Sequence, residues 1–494
     1  MDKKSDDRPA TARRDAKEER MGRAGVLLIV CLCTLPFLVF LFGGRAGAPA
    51  VSRVARRRQA HRHGWIRVSE RLSSKRRRRR RRALRRPARA GLRPTRVPEP
   101  KLRDYEARHR KCGPGTPPYA RSVDHLLSGG GSSTEDDECN YVVWIPYNGL
   151  GNRMLSLLST FLYALLTGRV LLVHPTDDFT DLFCEPFPGG TWALPPDFPV
   201  ADMSRLGARS NESYGNLLDS KKISNDPTKA TARSVPPYVY LHLAHDLRRS
   251  DRLFYCNDDQ LVLAKVNWLL LQNDFYFVPA LYDMAEFEGE LRRLFPAMES
   301  VCRTSSADTC STRPTPHILP DVDGDEANTA SAAADGSNKS KAILIASLQG
   351  EYYERIKSTY YENAAEGGGR VGVFQPSHEE RQTMGQRSHN QKALAEIYLL
   401  SFSDVLLTTG ISTFGYMSSS LAGLRPAMLM IAKDHKVPET PCVRAVSMEP
   451  CFHMTPDVRC QGKAVNKEEL SRHVKECEDV PKGMKWIKGI KLVD

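Results

Sequence analysis

One stretch, Tyr141 to Val173, combines a strand, a glycine turn, a long apolar helix and a second strand, and it constrains the fold more than any other. Its first residues are β-branched or aromatic and end at Pro146, and no helix breaker follows Gly151 before Gly168. This succession is the repeating unit of a parallel α/β sheet. A glycine turn at the carboxyl end of such a strand directs the free N–H groups of the next helix toward the crevice where these sheets bind ligands.

The turn itself carries candidate ligand-binding groups. Asn152 and Arg153 follow Gly149 and Gly151 on the first turn of the helix, where an amide and a guanidinium can meet an anion. A diphosphate fits such a place, so we predict that these four residues contact the phosphates of a ligand. A unit whose glycines only permit close packing would show the same pattern.

A membrane anchor is predicted near the amino terminus. Ala24 to Gly44 is an apolar run long enough to span a bilayer, with charged segments on both sides. It ends in no clean small-residue cleavage pattern, so we expect a retained anchor at 24–44 after a cytosolic tail at 1–23. A buried core helix is the alternative.

The positive charge of the chain lies just beyond this predicted span. The formal net charge is +14, and Arg76 to Arg82 are seven consecutive arginines. Like charges at this density repel one another and build no core, so residues 45–101 are predicted to be a disordered basic stem. The arginine-rich run has no interleaved aromatic residues, and we therefore expect no nucleic-acid partner.

Cysteine content and glycosylation sequons indicate an oxidising compartment. Ten cysteines lie beyond the predicted span, and Asn211 and Asn338 each begin an N-glycosylation sequon. Both features favour a lumenal body. We predict a single-pass Golgi membrane protein with a short cytosolic amino terminus.

Alternating strand and helix patterns predict two Rossmann-like domains at 102–300 and 340–432. An irregular linker at 301–339 separates them, and a cysteine-rich tail follows at 433–494, with a disulfide pairing that the sequence does not determine. Predicted strands include Val170 to Val173, Tyr238 to Leu243, Val371 to Phe374, Asp404 to Thr409 and Ala427 to Ile431; predicted helices include Tyr352 to Tyr361 and Asn390 to Leu400.

A polar cluster follows the strand Tyr238 to Leu243. His242, His245 and Asp246 are candidates for the base that takes a proton from an acceptor hydroxyl, and we choose Asp246 as catalytic. Solvated or structural polar groups at a strand end would give the same pattern.

Six motifs resemble, in order, those of the plant cell-wall fucosyltransferases. The motifs are G-L-G-N-R at Gly149 to Arg153, D-L-F-C-E-P-F-P at Asp181 to Pro188, W-A-L-P-P-D-F-P at Trp192 to Pro199, V-F-Q-P-S at Val373 to Ser377, S-T-F-G-Y at Ser412 to Tyr416 and S-M-E-P-C-F-H at Ser447 to His453. That family includes enzymes that add α-1,2-fucose to galactose on xyloglucan and on arabinogalactan proteins. The resemblance implies a GT-B-like arrangement of two domains, GDP-fucose as donor, a galactose-terminated polysaccharide or proteoglycan as acceptor, and no cofactor or metal ion.

The resemblance also implies the donor site. Ser412 and Thr413 open a helix after a strand, where hydroxyls and amides can bind phosphate or ribose, although N-capping would place them equally well. The predicted donor-binding residues are Gly149, Gly151, Asn152, Arg153, Gln375, Ser377, Glu379, Ser412, Thr413, Phe414 and Gly415. Arg153 is also predicted to be catalytic, because the charge that develops on the leaving diphosphate must be neutralised.

One segment of the family pattern is missing. The family carries, before the strand that matches Ser340 to Leu348, another strand of the form I-G-I-Q-V-R, whose arginine is expected to hold the donor's diphosphate. Nothing like it occurs from Ala297 to Lys339, so we expect an incomplete second domain. D-V-D-G-D at Asp321 to Asp325 has the carboxylate spacing of a cation site, but it lies in a low-complexity tract.

Two alternatives follow from this difference. A catalytically impaired homologue would bind glycan without using GDP-fucose, and a sequence that omits a coding segment would look the same. The second alternative is a basic membrane-tethered interaction protein in which the arginine-rich stem binds the partner.

Overall fold

The computed structural model describes residues 99–129, 139–176, 178–200, 202–230, 234–282, 284–294, 341–363, 371–430, 438–453, 459–460, 463–464, 474–478 and 489–492. All of them belong to one compact unit, Leu92–Asp494. The predicted cytosolic tail and membrane anchor, nearly all of the stem, the linker at 301–339 and Asn338 lie outside the described residues. Among the helices that are described, none has the length and hydrophobicity that a bilayer crossing requires.

The first domain is built on four parallel strands in the order β2-β1-β4-β3. They are β1 (Tyr141–Ile145), β2 (Val170–Val173), β3 (Tyr238–Leu243) and β4 (Trp268–Asn273). Every residue of β1, β2 and β4 is buried. Strands covered on both faces are continuous apolar runs, as this sequence has. The predicted strands at β1, β2 and β3 are confirmed.

Helices cover both faces of this sheet. They are α1 (Glu99–Cys112), α2 (Pro117–Ser128), α3 (Leu150–Leu166), α4 (Tyr214–Asp219), α5 (Asn257–Leu263), α6 (Val278–Tyr282) and α7 (Ala285–Leu294). Side chains alternate along a strand, so β1 sends Val142 and Trp144 into the core with α3, and Tyr141 and Val143 into the core with α2. The ring of Tyr141 stacks on that of Trp268 at 4.0 Å.

A buried arginine holds the amino-terminal end of the sheet. Arg169 donates from its guanidinium to the carbonyl oxygens of Tyr141 at 3.2 Å, Asn267 at 3.1 Å and Leu263 at 2.7 Å. Burial lowers the pKa of Arg169 to about 10. Its hydrogen bonds join the starts of β1 and β4, whose opposite ends carry the candidate site.

Two separate small sheets make up the second domain. β5 (Lys341–Leu344) pairs in parallel with β6 (Val371–Phe374), while β7 (Leu407–Thr409) pairs in parallel with β8 (Ala427–Leu429), and β8 pairs antiparallel with β9 (Cys442–Arg444). The helices are α8 (Gly350–Glu362), α9 (Arg387–Leu400) and α10 (Thr413–Ala422). The strand at β6 and the helix after Ser412 are confirmed; β7 begins three residues later than predicted.

The second domain is poorly buried in its first half. Neither β5, β6 nor α8 contains a buried residue. The edge of β5 opposite β6 and the edge of β7 opposite β8 have no strand beside them among the described residues. The described part of this domain is therefore not one continuous sheet.

The carboxyl-terminal tail packs back onto the first domain. It includes the short strands β10 (Arg459–Cys460), β11 (Lys463–Ala464), β12 (Val474–Glu476) and β13 (Ile490–Leu492). Disulfides join Cys256 to Cys460 and Cys451 to Cys477, and a third joins Cys112 to Cys139. The predicted disulfide-stabilised tail is confirmed.

Candidate active site

Strands of both domains end around one cavity of about 260 Å³. The residues that follow β1, β5, β6 and β7 all reach it, together with the start of α9. Its lining includes Asn148, Gly149, Gly151, Asn152, Arg153, Ser347, Ser377, Glu379, Gln382, His389, Asn390, Lys392, Glu396, Ser412, Thr413 and Phe414. Carboxyl ends of parallel strands are where α/β sheets bind ligands.

The turn after β1 is held in an unusual conformation. Asn148 has a left-handed backbone with φ of 68°, which non-glycine residues seldom adopt. Its side-chain oxygen accepts a hydrogen bond from the backbone N–H of Gly149 at 2.9 Å. This local bond stabilises the turn that aims the first N–H groups of α3 at the cavity.

The two glycines of this turn permit close packing. A Cβ on Gly151 would collide with the side chain of Thr413, at the start of α10, and a Cβ on Gly149 would collide with Gln382. The packing interpretation therefore holds for Gly151, whereas at Gly149 only the flexible end of Gln382 would have to move; both glycines also line the cavity. Because Gly151 has no side chain, the amino-terminal ends of α3 and α10 meet at the same point.

Asn152 links the two domains. Its side-chain nitrogen donates to the backbone oxygen of Asp274 at 3.0 Å, and its oxygen accepts from the hydroxyl of Thr413 at 3.3 Å. Predicted residues of the first and second domain are thus in direct contact.

Arg153 lines the cavity, but most of its guanidinium is engaged with protein atoms. Nε donates to the backbone oxygen of Asn148 at 2.7 Å, and Nη1 donates to Oδ2 of Asp178 at 2.7 Å. Burial opposes ionisation of Asp178, but the hydrogen bond and charge of Arg153 lower the pKa of that carboxyl. Asn390 of α9 donates to the same carboxylate oxygen at 3.0 Å. The phosphate and catalytic roles of Arg153 stay predictions, and Nη2 is its nitrogen without a partner in the described part of the chain.

The predicted residues at the start of α10 divide into two groups. Ser412 is the N-cap of α10, because its side-chain oxygen accepts a hydrogen bond from the backbone N–H of Gly415 at 3.2 Å. Gly415 has a packing role, because it lies so close to Thr408 that no side chain would fit there. Thr413 and Phe414 line the cavity. Capping and ligand contact are compatible for Ser412, since it lines the cavity too.

Gln375, Ser377 and Glu379 follow β6, as predicted. Gln375 donates to the backbone oxygen of Ser347 at 3.0 Å and is not among the lining residues, whereas Ser377 lines the cavity and donates to Glu396 at 2.5 Å. Glu379 forms an ion pair with Lys392, whose hydrogen bond lowers the pKa of the carboxyl.

Three amino-terminal helix ends face the cavity. The first turns of α3, α9 and α10 all contribute to its lining, and amino-terminal helix ends favour anions. The two formally cationic lining residues, Arg153 and Lys392, are each paired with a carboxylate. Within the described ranges no group of three side chains is arranged to hold a metal ion.

Asp246 belongs to a hydrogen-bonded chain next to this cavity and does not line it. Nε2 of His242 lies 2.7 Å from Oδ1 of Asp246, and Nδ1 of His242 lies 2.8 Å from the hydroxyl of Tyr240. Burial, the largest single effect, opposes ionisation of Asp246, but the hydrogen bond and charge of His242 act with weaker contributions to lower the pKa of the carboxyl. The catalytic role of Asp246 stays a prediction.

A second histidine–carboxylate pair is hydrogen-bonded to residues that line the cavity. Nδ1 of His245 lies 2.8 Å from Oδ2 of Asp274, and the side-chain nitrogen of Asn148 donates to the same oxygen at 3.3 Å. The sequence patterns did not single out Asp274. Its position directly after β4, the neighbour of β1, is the signal that could have identified it.

A larger depression of about 610 Å³ lies between α4 and the loop before β3, beside Lys221, Lys222 and Lys229. No predicted site residue lines it. It is therefore separate from the strand ends where the candidate site lies.

The family model for xyloglucan fucosyltransferase matches this chain over residues 92–307 and 304–461. A galactoside 2-alpha-L-fucosyltransferase of Pisum sativum is 42% identical over 445 residues, which covers 80% of this chain and 75% of that protein. The probable fucosyltransferase 8 of Arabidopsis thaliana is 38% identical over 454 residues, with 81% and 85% covered. A mutant of Arabidopsis thaliana FUT1, solved in complex with GDP, superposes with a TM-score of 0.65 at 39% identity and covers 80% of this chain and 91% of that one.

The matches also mark the missing segment. The two parts of the family match meet at residues 304–307, within the stretch from Ala297 to Lys339 that lacks the family's segment. The alignment with the pea protein spans 445 positions but covers 80% of 494 residues, about 395, so about 50 positions have no counterpart here. Six ordered motifs, an α/β fold with parallel sheets and the matched length together establish that this chain belongs to the xyloglucan fucosyltransferase family.

Proposed function

We propose that this protein transfers L-fucose from GDP-fucose, with inversion, in α-1,2 linkage to galactose on cell-wall xyloglucan or arabinogalactan. The observation that carries the proposal is the meeting of α3 and α10 at one cavity between two α/β domains, in a chain 39% identical to a relative solved with GDP. Two amino-terminal helix ends at one cavity suit a diphosphate. The arrangement of the domains would be that of a GT-B enzyme.

The donor's diphosphate would lie at the first turns of α3 and α10, beside Asn152, Arg153 and Thr413. Inversion requires the acceptor oxygen to approach the anomeric carbon from the face opposite the departing GDP. Negative charge then grows on the leaving phosphate, and helix ends stabilise it without rearrangement. Nη2 of Arg153 is the cationic group available for the same task. We expect no metal ion to be required.

Golgi location remains part of the proposal. It is supported by the apolar run at 24–44, by the three disulfides named above and by Asn211 of the first sequon, which is exposed. The body would lie in the lumen.

The division of the second domain into two separate sheets, β5–β6 and β7–β8–β9, favours a second candidate function. In that case the protein is a catalytically impaired homologue that binds glycan. β5 and β7 end at the same cavity without pairing, and both cationic side chains of its lining are engaged with carboxylates. The family's I-G-I-Q-V-R strand would supply both a strand and an arginine at this place. A sequence that omits an internal coding segment would leave the same gap.

Calorimetric titration of GDP into the secreted unit Leu92 to Asp494 separates these functions, followed by fucose transfer to galactose-terminated xyloglucan. We expect GDP to bind, and Thr413→Ala to weaken binding several-fold, since a hydrogen bond contributes about 1 kcal/mol. Thr359→Ala is the matched control, because Thr359 lies on α8 and bonds to the backbone oxygen of Arg355. A folded protein that binds no GDP would reject the transferase and leave the glycan-binding homologue.

A further inference from the structure

We propose that His245 is the base that accepts the proton of the galactose 2-hydroxyl, and that Asp274 is the positioning residue that sets its tautomer. The inference rests on the proposed function, because it assigns a base to that transfer. The geometry of two elements carries it: the segment that follows β3 and the end of β4.

Asp274 fixes the orientation of the imidazole. Its side chain is 2% exposed, and its Oδ2 lies 2.8 Å from Nδ1 of His245. A buried carboxylate is only an acceptor, so the atom facing it must carry a hydrogen. Nδ1 is therefore the N–H of the neutral ring, which leaves the lone pair on Nε2. Neutral imidazole in this tautomer is the form that accepts a proton at Nε2.

The imidazole is also accessible. The side chain of His245 is 56% exposed, and its Nε2 has no hydrogen-bond partner in the part of the chain that the structure describes. The ring of Tyr147 lies nearly parallel to the imidazole, at 6.0 Å and 16°. An exposed nitrogen on a ring that is fixed at its other nitrogen can meet a hydroxyl that arrives from solvent.

The pair is connected to the proposed donor cavity. Asn148 and Asn152 both line that cavity, and both donate to Asp274, one to its side chain and the other to its backbone oxygen. His245 does not line the cavity itself, but two hydrogen bonds, through Asp274 and Asn148, connect it to the turn that begins α3. An acceptor at His245 would be next to a donor held by that turn.

Asp246 is the less suitable base. Its carboxylate already accepts a hydrogen bond from His242, and the side chain of His242 is only 5% exposed. The same hydrogen bond lowers the pKa of Asp246, against the opposing effect of burial, and a weaker base takes a proton less readily. The charged or titratable groups around His245 are Asp274, Asp246 and Tyr147; burial and the two carboxylates raise the pKa of Tyr147, so it stays neutral.

In the transfer step, His245 would receive the proton that the acceptor hydroxyl loses. The 2-oxygen of galactose forms its bond to the anomeric carbon of fucose while its proton passes to Nε2 of His245. The bond from that carbon to the β-phosphate oxygen breaks, and GDP leaves with the electron pair. The imidazolium, stabilised by Asp274, then returns the proton to solvent.

The test is the steady-state kinetics of the full-length chain in detergent, with GDP-fucose and a galactose-terminated xyloglucan oligosaccharide. His245→Gln should lower kcat by about 10²–10⁴-fold, with GDP affinity unchanged. Asp274→Asn should lower kcat less than His245→Gln and leave KM unchanged, because the amide can still contact the ring but no longer determines which nitrogen carries the hydrogen. His125→Gln, on α2 away from the cavity, is the matched control.

Each outcome is decisive. If His245→Gln keeps the wild-type kcat, the base assignment is wrong while the proposed function stands. If Asp274→Asn raises KM and lowers thermal stability but leaves kcat unchanged, Asp274 has only a structural role. A wild-type chain that binds GDP but transfers no fucose overturns the proposed function, and the base assignment with it.

Discussion

The two sheets at the candidate site differ sharply in burial. All residues of β1 and β4 are buried, whereas β5 and β6 contain no buried residue at all. Of the fifteen large apolar side chains that are exposed in the described ranges, twelve lie between Leu348 and Leu429. Similar strand patterns in the sequence have thus produced a closed core around β1 and β4 and an open surface around β5 and β6.

The difference shows what a strand needs from its neighbours. β1 has a partner on each edge and helices on each face, whereas β5 and β7 each have one free edge in the described part of the chain. Free edges expose backbone donors and acceptors as well as the side chains next to them. A further strand at either free edge would satisfy the backbone donors and acceptors of that edge.

The largest effect is expected from a substitution in the closed core. Trp268→Ala should reduce the free energy of unfolding by about 3–5 kcal/mol, because Trp268 is completely buried and a cavity would remain. Phe374→Ala on β6 is the comparison, and we expect less than about 1 kcal/mol, since that ring is 57% exposed. Urea unfolding of Leu92 to Asp494 measures both, and equal losses would show that the two domains are equally packed.

The second prediction concerns the free edges. Insertion of the pea relative's corresponding segment between Val301 and Cys310 should raise GDP affinity about 10–100-fold, because a charge-assisted hydrogen bond contributes about 1.5–3 kcal/mol. The control is the same insertion with its arginine replaced by glutamine, which keeps the strand and removes the charge. Calorimetry with GDP measures both. If affinity does not change, the missing segment makes no contribution to GDP binding in this protein.

A smaller, pH-dependent effect should distinguish the domains. In the first, burial raises the pKa of Asp259 to about 7, although the hydrogen bond from Tyr214 opposes it. Between about pH 4 and 7 the folded state keeps a proton that the unfolded chain, with a pKa near 3.9, has released. The stabilisation that this proton provides therefore falls as pH rises through that window. In Asp259→Asn, the free energy of unfolding should fall by about 1–3 kcal/mol less over the same pH range.

Glu379 in the second domain should behave in the opposite way. The hydrogen bond from Lys392 lowers its pKa, so its contribution is present above the unfolded pKa and is lost as pH falls. Thermal unfolding of Asp259→Asn and Glu379→Gln from pH 4 to 8 measures both directions. If the thermal stability of Asp259→Asn still declines as pH rises, another group is responsible for the decline.

Local patterns predicted much of the fold. β1, α3 and β2 follow from residues that are neighbours in sequence, and the bounds of β3 and β6 were predicted to the residue. Each of these elements depends on side-chain type and turn chemistry within its own stretch. The meeting of α3 and α10 was also expected, because both begin after strands.

Contacts between site residues that lie far apart in the chain could not be predicted from the sequence. Arg153 pairs with Asp178, and Gly151 packs on Thr413, which follows it by more than 250 residues. His245 and Asp274 follow different strands, β3 and β4, which lie side by side. Such pairs depend on the order of strands in the sheet, which no single segment specifies.

The disulfide between Cys256 and Cys460 imposes an order on biosynthesis. Its two cysteines are 204 residues apart, on either side of the second domain, whereas Cys112 and Cys139 are 27 apart. Chains emerge from the ribosome amino terminus first. The disulfide between Cys112 and Cys139 can therefore form before Cys460, the partner of Cys256, has been synthesised. The Cys256–Cys460 disulfide therefore forms only after the second domain has been translated. A second domain that fails to fold would leave Cys256 as a free thiol in the first domain.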